Sequence, residues 1–134
     1  MTFHYINTKH INQNPKPNLI KYMTTTLEIC NEQPSSPKSW ETATAKLYHW
    51  NGFIFAVVRW CAGQWGIYEH STGLLLASSA NEGVRSRKAL VKNAVEKMKL
   101  FTLESLRLSI ASKPWRNFLL LDVTALPHLE EMAK

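Results

Sequence analysis

Aspartate is nearly absent: of the ten acidic side chains in 134 residues only Asp122 is an Asp, and it sits inside an apolar run. Metal-dependent nucleases and phosphoryl-transfer enzymes hold divalent cations with several carboxylates, so two-metal chemistry is not expected. Cysteine is equally scarce. Cys30 and Cys61 lie far apart and the five histidines lack ligand spacing, which argues against a zinc site. Each of the five glycines stands singly, so no glycine-rich phosphate loop is present. No run approaches the roughly 18 apolar residues of a membrane span, and the N-terminus lacks the apolar centre of a secretory signal. A cytoplasmic protein without membrane contact is therefore expected, with two reduced thiols rather than a disulfide. Glu69 and His70 are adjacent in an expected strand, where alternation sends them to opposite faces. Cys61 has no motif linking it to His49 or His70. These absences point to a noncatalytic protein without a cofactor.

What the chain does carry is positive charge and aromatic rings. Sixteen Lys and Arg give a formal charge of +6, and Lys9, Lys16 and Lys21 supply half of it from a stretch without acids. A basic balance favours polyanionic partners. Residues 1–38 read as a basic, loosely ordered arm and linker, containing Asn14-Pro15-Lys16-Pro17-Asn18 and Gln33-Pro34-Ser35-Ser36-Pro37. Met23 opens a segment of different composition, so residues 1–22 read either as a native tail or as an upstream start. Residues 39–134, with a chain average of 45% hydrophobic residues, suffice for a single domain.

Three turn signals divide residues 45–79 into a four-strand meander. Asn51-Gly52 marks a two-residue hairpin between Ala45–Trp50 and Phe53–Trp60. Cys61-Ala62-Gly63-Gln64 leads into Trp65–His70, and Ser71-Thr72-Gly73 into Leu74–Ser79. Strict alternation then sorts two faces. One holds Leu47, Ile54, Ala56, Val58, Trp60, Trp65, Ile67, Leu75 and Ala77, and is expected beneath a helix. The other mixes Lys46, Tyr48, Trp50, Phe53, Phe55, Val57, Arg59, Tyr68, His70, Leu74 and Leu76. It is either covered by another layer or forms an open platform on which bases or partner side chains stack against Tyr48, Tyr68 and Trp50 beside Arg59.

A helical period follows from Val84 to Phe101, with Val84, Val91, Ala94, Val95 and Met98 on an apolar arc that Leu90 and Phe101 widen. Arg85, Lys88, Lys92 and Lys99 recur on the adjoining arc, and Arg87 joins the basic cluster in the first turns. That flank is either a solvated surface or a phosphate-facing stripe. Cations at a helix start oppose its dipole, and an anionic partner would offset the cost. Thr102 caps a second helix bearing Leu103, Leu106 and Ile110, which Lys113-Pro114 ends. Asn117–Val123 reads as a fifth strand. The expected class is α+β, an antiparallel four-strand meander packed on an amphipathic helix, with a second helix and a C-terminal fifth strand.

Residues 64–112 weakly resemble strand-strand-strand-helix proteins of phages and plasmids. The pattern Trp65-Gly66-Ile67-Tyr68-Glu69-His70-Ser71-Thr72-Gly73, then Arg85-Ser86-Arg87-Lys88-Ala89 and a helix containing Ala94, is similar to HicB-type antitoxins and to double-stranded-RNA-binding domains. Ser86-Arg87-Lys88 fits the basic run of the RNA-binding family, whereas Leu90 and Val91 depart from it. HicB-type domains carry acids where this chain has bases. The resemblance implies a noncatalytic binding role in mobile-element or defence biology. Two readings compete: a nucleic-acid-binding or regulatory protein using Arg85, Arg87, Lys88, Lys92, Lys99 and Arg59 with Tyr48 and Tyr68, and a protein-binding inhibitor or adaptor anchored by aromatic side chains. A homodimer formed through Phe118–Val123 as an edge strand is a third option.

Overall fold

The computed structural model describes residues 24–33, 36–60, 63–118 and 123–133; Cys61 and the expected tail of residues 1–22 lie outside them. Five strands, β1 (Thr24–Gln33), β2 (Ser36–Trp50), β3 (Phe53–Arg59), β4 (Trp65–Glu69) and β5 (Leu75–Ser78), form one antiparallel sheet in chain order. Helices α1 (Ser79–Glu82), α2 (Arg87–Met98) and α3 (Leu103–Ala111) follow, then 3-10 turns at Val123–Ala125 and Leu129–Ala133. The class is α+β, and among the described residues no helix is long and apolar enough to cross a membrane.

The β2–β3 hairpin forms as its turn residues dictate. Asn51 and Gly52 have φ of 51° and 87°, the two positive values a type I′ turn requires, and Trp50 faces Phe53. The N-terminal boundary is corrected: β2 runs through residue 38, and β1 fills part of the expected arm, with Leu27 and Ile29 buried and Thr26 and Glu28 exposed between and beside them. The fifth strand is thus N-terminal. Asn117 and Phe118 are not in a strand, Val123 opens a 3-10 turn, and residues 119–122 of the expected C-terminal strand lie outside the described residues.

The face assignment is corrected as well. Arg59 pairs with Trp65, leaving the five residues 60–64 as the connection, closed by a 2.7 Å bond from the Trp60 N–H to the Gln64 carbonyl. The expectation had four residues there, and one extra residue inverts every side chain of the next strand. Ile67 therefore shares a face with Val57, and Tyr68 with Ala56. A bulge between β4 and β5 then lets Leu76 join Ala77 on the helix side.

Two cores result. Leu27, Ile29, Leu47, Ile54, Val58 and Tyr68 pack beneath Val123 and Leu126, with Trp60 and Trp115 at the margin. On the other side Tyr48, Trp50, Phe53, Phe55 and Ile67 lie beneath Leu90, Val91, Ala94, Val95 and Met98 of α2, and beneath Leu129. The helix thus covers the aromatic face, not the aliphatic one, because both faces are apolar enough to need a cover and the connections decide which cover each receives. Tyr48, Trp50 and Tyr68 are all buried, and Tyr68 is on the opposite face from the other two, so these three rings do not form the expected open platform.

The sheet brings β1 against the β4–β5 turn. The Cys30 N–H donates to the Gly73 carbonyl at 2.9 Å. Asn117 completes the junction: its Oδ1 accepts from the Glu28 N–H at 2.8 Å, and its Nδ2 donates to the carbonyls of Glu28 at 3.0 Å and His70 at 2.8 Å. The turn is itself held by the Glu69 carboxylate, which accepts from the Ser71 N–H, the Ser71 hydroxyl and the Thr72 N–H. Gly73, at φ 71°, has the Glu28 carbonyl where a Cβ would stand.

Candidate functional site

Helix α2 begins at Arg87, after Ser86, whose hydroxyl accepts from the Ala89 N–H at 3.0 Å. Arg85, Arg87, Lys88, Lys92 and Lys99 are all exposed. They do not form one stripe. At about 100° per residue, Lys88, Lys92 and Lys99 keep to one row, whereas Arg87 is turned toward the side occupied by Leu90, Val91 and Ala94. One turn further along the helix that direction is core. At the helix start it lies over the end of β3 and the start of β4, where Arg87 is exposed beside Trp65.

Arg59 ends β3 and Trp65 begins β4, directly opposite each other. The guanidinium carbons of Arg59 and Arg87 stand 5.7 and 5.5 Å from the Trp65 ring centre, the range of a cation–π contact. A half-open recess of about 370 Å³ lies here, lined by Thr44, Ala45, Lys46, Tyr48, Val57, Arg59, Trp65 and Arg87. Its three cations have no acidic neighbour in the lining, and among the described residues none of them makes a salt bridge. Burial raises the Tyr48 hydroxyl's pKa above its ordinary value, opposed by the charge of Arg87, so the hydroxyl keeps its proton at neutral pH. Every polar side chain of the recess can donate a hydrogen bond. None supplies a base or an activated nucleophile, so the arrangement suits anion binding.

The remaining expected residues separate from this centre. Lys99 lies 3.7 Å from Glu130, and it shares with Lys92 a shallow depression also lined by Glu96 and Glu130, where charge is balanced. Lys88 and Arg85 extend the basic surface from the helix start. Tyr68 does not belong to the site: it is buried in the other core, its ring folded over Gly66, where a Cβ would come within 2.8 Å of Cε1. Burial raises its pKa too, opposed by a hydrogen bond with Trp60. Lys46 and Trp65 were missed as site residues. Alternation already places Lys46 beside Tyr48 and Arg59, and Trp65 joins them only once the connection is known to be five residues long.

A second surface contrasts with the first. Helix α3 buries none of its residues, and Leu100, Phe101, Leu103 and Leu108 are 82%, 56%, 43% and 60% exposed. Among the described residues no cluster of His, Cys, Asp or Glu could hold a metal ion. Comparison with protein-family models, with curated proteins and with solved structures finds no match to this chain.

Proposed function

We propose that this protein is a noncatalytic nucleic-acid-binding or regulatory protein whose phosphate contacts centre on Lys46, Arg59 and Arg87 and continue along Lys88 and Lys92. One observation carries the reading: three exposed cations converge on a single recess without a neutralising carboxylate, although like charges held together raise the energy of the free protein. An anionic ligand removes that repulsion. Binding measured by fluorescence anisotropy with labelled DNA and RNA should weaken with salt, with a slope of about 0.7 to 0.9 in log K per phosphate contact. Charge reversal of Arg59 and Arg87 should abolish it, while Arg107→Glu on α3 should leave it intact. Absence of binding to any nucleic acid at low salt would refute the reading.

The exposed leucines and Phe101 around α3 favour a second reading, a protein-binding inhibitor or adaptor of mobile-element origin, since an apolar patch of this kind suits a partner's surface. A pull-down from native lysate with and without nuclease separates the two. A partner retained at high salt after nuclease treatment supports the adaptor; a partner lost with the nucleic acid supports the first reading.

A further inference from the structure

We infer that the recess takes the terminal phosphomonoester of a nucleotide chain, in preference to a phosphodiester from the chain's interior. This rests on the nucleic-acid reading above and narrows it to one chemical group. The lining polar groups are the Lys46 ammonium, the guanidinium groups of Arg59 and Arg87, and the hydroxyls of Tyr48 and Thr44. A site made of donors, with three positive charges, is matched by a ligand that presents only acceptors and more than one negative charge. A phosphomonoester offers three non-bridging oxygens and a charge near −2 at neutral pH. A diester offers two oxygens and a single charge, leaving more of the repulsion among the cations unrelieved.

Tyr48 and Val57 of the lining also belong to the core beneath α2, so the recess borders the helix–sheet junction. The rings give a second argument. Trp65 already carries two guanidinium contacts and the Tyr48 ring is buried, so the recess leaves a base little aromatic surface on which to stack. Recognition by phosphate alone makes the site indifferent to base identity.

The test uses the full chain and short single-stranded oligonucleotides, DNA and RNA, with a 5′-phosphate, a 3′-phosphate or hydroxyls at both ends, at one fixed salt concentration. One of the phosphorylated ends should bind about tenfold more tightly than the unmodified strand, the gain of one further charge-assisted hydrogen bond. Arg59→Gln should erase that preference, and Lys92→Gln should weaken all three ligands by the same factor. Melting temperatures should confirm that both variants stay folded. Equal affinity for all three ligands overturns the inference while leaving nucleic-acid binding in place, and a preference that survives Arg59→Gln overturns the assignment to this recess. No binding to any strand refutes both.

Discussion

The junction around Asn117 and the recess around Trp65 treat polar groups in opposite ways. At the junction the Asn117 amide meets both backbone polar groups of Glu28 and the carbonyl of His70, with all three bonds at 3.0 Å or shorter. In the recess three cations face solvent and each other with no carboxylate between them. Satisfied, buried polar groups stabilise a fold because any vacancy leaves a partner desolvated. Unsatisfied, exposed charges contribute little or nothing to folding and are available to a ligand. The comparison separates a residue set whose loss should unfold the protein from one whose loss should only silence it.

The sharpest way to break that division is Asn117→Asp. The substitution keeps shape and acceptor, removes both donated bonds, and sets a carboxylate against two carbonyl oxygens. Urea denaturation should show a loss of about 4 kcal/mol, and Asn117→Ala about 3 kcal/mol, from three bonds lost and partners left unmet. Losses below about 1 kcal/mol would mean that water replaces the amide and that the junction is not a stability element.

Acid probes the same junction. His70 is 1% exposed, and burial depresses its pKa from the ordinary 6.5 to about 4. The neutral ring is the form the fold accepts, so the unfolded chain takes up the proton first. Stability from this group is intact above pH 6.5 and is lost as pH falls through the interval down to about 4. That linkage amounts to about 3 kcal/mol. Denaturation midpoints measured across this interval should fall steadily, and His70→Gln should flatten that part of the profile. An unchanged slope in the variant would assign the acid sensitivity to other groups.

How far these regions were legible in the sequence depends on whether the signal was local. Asn51-Gly52, Thr102 as a cap and the apolar arc from Leu90 to Met98 are local and are found where expected. The helix is nonetheless shorter than its period suggested, and leaves Val84 before it and an exposed Phe101 after it. The alternation of Leu27 and Ile29 with Thr26 and Glu28 was equally local, yet the neighbouring Pro-Ser-Ser-Pro segment suggested a linker and hid β1. The parity of β4 was not local in the same sense, since it turns on a connection of five residues rather than four, and no residue in that connection announces its length. Asn117 illustrates a deeper limit. Its partners Glu28 and His70 are 89 and 47 residues away, and nothing near Asn117 distinguishes it from any surface asparagine. The recess was half legible for the same reason: Arg59, Arg87 and Tyr48 were named and line it, whereas Tyr68 lies in the opposite core and Trp65 was placed on the other face by the parity error.

The smallest expected effect on stability belongs to the recess, which makes it the cleanest discriminator. Arg59→Gln and Arg87→Gln remove charge from exposed side chains whose only described ring contact is with Trp65. Exposed cation–π contacts are worth about 0.5–1 kcal/mol, and relief of repulsion among the three cations works against that loss. The double variant should therefore unfold within about 0.5 kcal/mol of the parent. Its nucleic-acid affinity should meanwhile drop by about a hundredfold at low salt, and the slope of log K against log salt should shrink by about 1.5. Equal loss of stability and binding would place Arg59 and Arg87 among the structural residues, like Asn117. Loss of binding alone keeps the two regions apart, because a charge that folding does not need then proves to be one a ligand does.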